Sequence, residues 1–332
     1  MQENTPLAAR TPFLLAGAVL CTFLWGAAFP VIKLGYGVLE IGADQTFRQI
    51  LFAGERFLLA GVLAWIIGCL VNRRILFPKK SSWKAIFLLS LFQTALQYLC
   101  FYLGLARTSG VKASVIEGAA PFLSLLLAAL CFHQEKLTAR KAIGCLVGFL
   151  GVLLIESGGA GDAYLAVSFG DLLIFLATLC SALAAVAMRK FSQDEEPYTL
   201  SSYQFVLGGI FLTVAGAIGA RHGSAPMKGG LFSAARANGE LGKALVLLLI
   251  LAAISAVAFS LWGVLLKSNE VSRVTVFTFL IPVFGALLSM LLLRESASQP
   301  LWVILVSLLL VSAGTVLVQG KWLDRHRSPE VE

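Results

Sequence analysis

The sequence predicts an all-α membrane protein: ten transmembrane helices in two inverted five-helix repeats. Three observations carry that prediction. The chain is 58% hydrophobic and only 13% charged, against roughly 25% charged in a soluble domain, and its mean hydropathy is +0.86. Apolar runs near the ~20 residues that a helix needs to cross a ~30 Å hydrocarbon core recur along the whole chain. The pattern Ser114-Val-Ile-Glu-Gly-Ala-Ala-Pro121-Phe-Leu, closed by Glu135, returns as Val276-Phe-Thr-Phe-Leu-Ile-Pro282-Val-Phe, closed by Glu295.

The spans follow in order. Span 1 (12–32) holds Trp25, Phe29 and Pro30 and ends at Lys33. It is a full-length apolar run with no basic leader and no Ala-x-Ala site, so it does not read as a cleavable signal. Span 2 (48–71) contains Phe52-Ala-Gly-Glu-Arg-Phe57-Leu-Leu-Ala-Gly61. Span 3 (84–106) carries Gln97, Tyr98, Phe101 and Tyr102, and span 4 (111–132) carries Glu117 and Pro121. Span 5 (139–157) ends on Gly151-Val-Leu-Leu-Ile155. Span 6 (169–189) opens at Asp171, where a carboxylate favours the positive end of the helix dipole, and ends in Arg189 as span 1 ends in Lys33. Span 7 (200–220) repeats span 2 at a shift of 148 residues, with Phe205 for Phe57 and Gly209 for Gly61. Span 8 (244–267) places Trp262 where span 3 has Phe101. Span 9 (273–293) holds Phe277, Phe279 and Pro282, and span 10 (300–318) ends on Gly314-Thr-Val-Leu-Val318.

Residues 12–157 and 169–318 therefore read as two copies of one unit, followed by a tail at 319–332. A unit with an odd number of crossings enters the membrane from opposite sides in its two copies. The halves are then related by an axis in the membrane plane, an arrangement common in secondary transporters, with the ligand site between the halves. The connection 221–243 is long, polar and rich in Gly and Ala, and no function is read from it.

Charge sets the orientation. With the N-terminus inside, 16 of the 26 Lys and Arg fall on inside segments and 9 outside, four of these in or beside the 221–243 connection. Cytoplasmic segments carry such an excess, so both termini are placed in the cytoplasm and the chain in the cytoplasmic membrane. The net charge of +8 is scattered over loops, and nucleic acid is not expected as a partner. The six cysteines, Cys21, Cys69, Cys100, Cys131, Cys145 and Cys180, lie in or at the ends of apolar spans without a C-x-x-C pair; they read as small apolar residues, with no metal site. No P-loop, H-E-x-x-H or G-x-S-x-G pattern is present, and His133, His222 and His326 all sit at span edges. No cofactor is expected, and the chain does not read as an enzyme.

Trp25-Gly-Ala-Ala-Phe-Pro-Val-Ile-Lys33, Glu55-Arg-Phe-Leu-Leu-Ala60, the prolines of spans 4 and 9 and the glutamates after them, in two five-helix halves, resemble the EamA-type members of the drug/metabolite transporter superfamily. The resemblance covers about residues 12–320. It implies ten helices, cytoplasmic termini and movement of small metabolites, often outward. Two features depart from the pattern: Pro121 to Glu135 is one residue longer than Pro282 to Glu295, and the 221–243 connection is long.

Ionisable residues at membrane depth cost a few kcal/mol and mark functional candidates. Glu55 and Arg56 lie seven or eight residues into span 2, and Glu117 about six into span 4. All three come roughly 10 Å below the outer surface at 1.5 Å per residue. Gln97 and Tyr98 arrive at a similar depth, so one polar cluster is expected. Arg56 suits a carboxylate or phosphate; Glu55 or Glu117 suits an amine or a proton. The bland alternative is an ion pair of Arg56 with Glu117 or Glu55 that only fixes helices. Neighbouring residues point ~100° apart on a helix, so Glu55 and Arg56 cannot both face one spot. Gln204 matches Arg56 by the repeat. Trp25, Phe101 and Trp262 are candidate apolar lining. Pro30, Pro121 and Pro282 each free a backbone carbonyl and are candidate hinges. Glu135 and Glu295 are expected to be solvated helix ends.

The expected function is secondary active transport of small metabolites, amino-acid-like or amphipathic and drug-like, as an exporter working by alternating access, with protons as an open coupling partner. The alternative is an intramembrane enzyme or a structural membrane protein. An exchanger of phosphorylated metabolites would need several deep cations, and only Arg56 is deep.

Overall fold

The computed structural model describes residues 10–108, 110–156, 168–222, 230–293 and 300–320, and among these it is helical without a strand. Two long helices open the first half, α1 (Thr11–Val38) and α2 (Thr46–Asn72). A composite third segment follows: α3 (Trp83–Leu89), a π-helical stretch Ser90–Leu96, and α4 (Gln97–Leu105). The fourth is broken: α5 (Gly110–Glu117), a turn at Gly118 and Ala119, α6 (Ala120–Leu126), and a second π-helical stretch Leu127–Cys131. The fifth is α7 (Ala139–Glu156).

The second half begins with α8 (Phe169–Phe191) and α9 (Pro197–His222). A short α10 (Ser233–Ala237) lies in the long connection, ahead of α11 (Leu241–Ser268). The ninth segment is again composite, α12 (Val271–Thr275), a 3₁₀ stretch Val276–Phe279, and α13 (Leu280–Leu293); α14 (Leu301–Gln319) closes the chain.

Eight helical segments among the described residues are long and apolar enough to cross a membrane. The expected ten are not all reached on length and hydropathy, for local reasons. The broken fourth segment counts as a shorter apolar helix, Val115–Cys131. α7 has 18 residues, with Arg140 and Lys141 in its first turn and Glu156 at its end. Asp171 caps α8 as expected: its backbone N–H donates to the Ser168 hydroxyl (3.1 Å) while its carboxylate accepts from the Ser168 N–H (2.8 Å), a reciprocal pair that satisfies two otherwise free donors.

Which face of a helix is buried follows from its small residues. On α2, Ala60, Gly61, Ala64 and Gly68 are buried while Val62, Ile66 and Leu70 are exposed. On α9, Ile210, Val214 and Ile218 are exposed, each 148 residues after its α2 counterpart. Apolar surface at i, i+4 and i+8 forms one lipid-facing stripe, and the two halves carry the same stripe.

α2 packs along α9, and the contact repeats itself. A Cβ on Gly61 would stand 2.8 Å from the Ser202 carbonyl oxygen and 3.0 Å from the Val206 nitrogen. A Cβ on Gly209 would stand 3.1 Å from the Gly54 carbonyl oxygen and 2.8 Å from the Leu58 nitrogen. The 148-residue shift converts one set into the other. Phe57 and Phe205, equivalent by the same shift, meet with ring centroids 5.1 Å apart. α7 and α14 behave alike: a Cβ on Gly151 would meet the Ser307 oxygen at 2.8 Å, and one on Gly314 the Gly144 oxygen at 2.5 Å. α1 rests on α11 and α13, as α8 rests on α4 and α6. Exchanging the halves maps these contacts onto themselves, which is the signature of a two-fold relation. Small residues permit so close an approach where lipid offers no hydrophobic drive.

One buried carboxylate ties loops together. Glu195 accepts from the Lys79 N–H (2.9 Å), the Ser82 hydroxyl (2.8 Å) and the Glu196 N–H (3.0 Å). Burial pushes its carboxyl up, but these donors and the Lys79 charge outweigh burial and hold it below the usual carboxylate range.

Candidate functional site

The composite segments converge on a cavity of ≈ 270 Å³ between the halves. The broken fourth segment supplies Glu117, Gly118 and Ala120; the 3₁₀ stretch and α13 supply Thr278, Phe279, Ile281 and Pro282. Glu117, Gly118 and Ala120 become Thr278, Phe279 and Ile281 at the 161-residue shift that carries Pro121 to Pro282. Gln93, Tyr98 and Phe101 become Ile254, Phe259 and Trp262 at the same shift, and all six line the cavity. The cavity therefore sits on the two-fold, with equivalent positions facing it from both sides.

Of the residues singled out from the sequence, Trp25, Arg56, Gln97, Tyr98, Phe101, Glu117 and Trp262 meet at this cavity, joined by Pro282. Glu55 is not in its wall. The ~100° between neighbours on a helix decides the choice, and α2 turns Arg56 inward. Pro121 is buried in the first turn of α6, just after the break. Pro30 lies inside α1, which continues unbroken through it. Glu295 lies outside the described residues.

Arg56 is 4% exposed. Its guanidinium carbon lies 4.4 Å from the Phe57 ring centroid and 5.6 Å from that of Tyr98, a cation–π setting. Its Nε has no hydrogen-bond partner. Among the described residues no ion pair joins Arg56 to Glu117 or Glu55, so the purely structural ion pair is not formed. The charges of Arg56 and Glu117 both act on the Tyr98 hydroxyl. Trp25 stacks edge-on against Phe259 (5.0 Å) and Trp262 (4.9 Å), closing an aromatic wall.

Sequence reasoning missed Gln93, Ser124, Ser181, Ser255 and Thr275 in the wall. Gln93 stands four residues before Gln97, a spacing that puts both on one helix face. The π-helical stretch carries it, a device frequent at functional sites. Four buried polar atoms of the wall lack a partner: Trp25 Nε1, Arg56 Nε, Gln93 Oε1 and Thr275 Oγ1. Buried polar groups are rarely left unpaired, and all four of these residues line the one cavity.

A second cluster closes the end of the bundle where α12 begins. Glu135 was expected to be solvated, yet its side chain is fully buried. It accepts from Lys141 Nζ (2.6 Å), the Ser272 N–H (3.0 Å) and the Ser272 hydroxyl. Lys141 also reaches Glu270 (3.0 Å), and Arg189 donates to the Asn269 carbonyl. The end of the fourth segment is thereby tied to α7 and α12, and Gln134, donating to the Val186 carbonyl (3.1 Å), ties it to α8.

A fold of two helical repeats around a central cavity defines a class of membrane transport proteins. The model of the EamA-like transporter family matches residues 13–157 and again 168–320, and the chain belongs to that family. A protein of Archaeoglobus fulgidus named "Uncharacterized transporter" is 27% identical over 94% of this chain and 98% of its own length. YvbV of Bacillus subtilis, also named as an uncharacterized transporter, is 27% identical over 94% and 92%. A Chlamydia trachomatis protein named S-adenosylmethionine/S-adenosylhomocysteine transporter is 24% identical over 83% and 81%. A solved crystal structure superposes with a TM-score of 0.69 at 15% identity, over 94% of this chain and 99% of its own, a likeness of fold.

Proposed function

We propose that the protein is a secondary active transporter of the cytoplasmic membrane, exporting small amino-acid-like or amphipathic metabolites by alternating access. In this reading the ten segments all cross the bilayer, the halves 12–157 and 169–318 are inverted, and the termini and the 319–332 tail are cytoplasmic. The observation that carries it is a central cavity on the two-fold, walled by equivalent residues of both halves and holding unpartnered polar atoms. If the halves exchange conformations about that axis, the cavity is presented to the other side. The relative named for S-adenosylmethionine and S-adenosylhomocysteine adds support for a metabolite as cargo. Glu117 takes the role of amine ligand or proton carrier, since a carboxylate at this depth is costly unless used.

Flux in proteoliposomes with an imposed pH gradient, across amino acids, amines and xenobiotics, tests this. Counterflow of one compound, abolished or uncoupled from pH in Glu117→Gln, is the expected outcome. Unchanged pH-dependent flux in that variant removes the proton role. Silence of the folded wild type across the panel overturns the reading.

A further inference from the structure

The two-fold is obeyed by the backbone and broken by the chemistry of the cavity wall. The guanidinium and the one carboxyl group in the wall, Arg56 and Glu117, both come from the first half. Their equivalents are Gln204 and Thr278. Gln204 is not in the wall: its Oε1 accepts from the Thr94 hydroxyl at 2.8 Å. The equivalent of Thr94 is Ser255, which does line the cavity. The first half thus directs a charged group inward where the second half seals a neutral one. The equivalents of Gln93 and Tyr98 are Ile254 and Phe259 by the 161-residue shift. The second half offers hydroxyls from Ser181, Ser255, Thr275 and Thr278, but otherwise aliphatic and aromatic surface.

We infer that the site takes a small zwitterion with an apolar body and holds it in one orientation. The anionic end meets Arg56, the cationic end meets Glu117, and the body lies on the second-half wall around Ile254, Trp262 and Phe279. The inference rests on the transport reading above and narrows it. A guanidinium and a carboxyl group in one wall, without a mutual ion pair, suit a ligand that supplies both complements. The volume of ≈ 270 Å³ falls just below the ~300–1,000 Å³ of drug-sized ligand pockets, which suits a small ligand. A phosphorylated ligand brings more negative charge than one arginine answers. Truncating one partner of a buried charge pair weakens binding strongly, so each end is expected to be worth about tenfold or more in affinity.

Binding to the detergent-solubilised full chain tests this, read by Trp fluorescence with L-leucine, 3-methylbutylamine and 4-methylpentanoate. Leucine is expected to bind at least about tenfold tighter than either singly charged analogue. Arg56→Gln is expected to erase the preference over the amine, and Glu117→Gln the preference over the acid. Arg56→Lys keeps the charge and is expected to retain a preference, which guards against loss of folding. An amine or acid that binds as well as leucine overturns the orientation. So does binding of none of the three by a protein that transports another compound in liposomes. Failure of all transport in the liposome panel instead removes the underlying reading.

Discussion

Arg56 and Gln204 occupy equivalent places in the two repeats, and their surroundings separate them. Gln204 accepts from the Thr94 hydroxyl and stays out of the cavity wall, whereas Arg56 is part of that wall. The sequence made Arg56 and Glu55 equal candidates, because burial at one depth does not say which neighbour faces in. Helical phase decides, and phase is fixed by packing against α9. At the same scale, Glu195 makes a testable contribution to stability. Its carboxyl is held below the ordinary range in the folded chain, so its stabilisation is present above the unfolded value and disappears as pH falls through the folded one. Glu195→Gln is expected to melt earlier at neutral pH, by an amount on the order of 1–3 kcal/mol for weakened bonds to a charged acceptor. The gap from wild type should narrow in acid. A gap that is the same at pH 7 and well into acid would show that the charge contributes nothing.

Elements were legible in outline and not in their interruptions. Apart from span 1, which α1 outruns by six residues, the sequence-derived spans match the helical segments within a few residues at each end, as 48–71 does Thr46–Asn72. The turn at 118–119, the two π-helical stretches and the 3₁₀ stretch at Val276–Phe279 were not read, although Pro121 and Pro282 mark their neighbourhood. A proline says that a hydrogen bond is lost; tertiary packing decides how the chain rearranges around it. The α2–α9 contact gives a prediction at this scale. Gly61→Val and Gly209→Val each thrust side-chain atoms against a facing backbone, at about 1–3 kcal/mol apiece. Because the two contacts are images of each other, the losses should be similar, and Ile66→Val on the lipid face should be nearly silent. Unfolding in mixed micelles measures all three; a strong asymmetry between the two glycines would contradict the two-fold packing.

At the scale of the whole molecule, the Glu135 cluster closes one end of the bundle by joining the fourth segment to α12 across the two halves. Glu135→Ala leaves Lys141 with only Glu270, and breaking a buried pair costs about 3–5 kcal/mol. That end should open. Labelling a Thr278→Cys reporter in an otherwise cysteine-free chain, with an impermeant thiol reagent added from that side, is expected to speed up severalfold. An unchanged rate would remove Glu135 as the closing contact. The sequence by itself determined the class, the repeat and most of the cavity's charged and aromatic residues, because membrane cost, apolar length and internal duplication are properties of the chain alone. Only the tertiary structure decided that Arg56 rather than Glu55 enters the cavity, that Gln93 and Thr275 join it, and that Glu135 is buried rather than solvated. Those outcomes depend on helix phase and on contacts between segments more than a hundred residues apart, which no local pattern encodes.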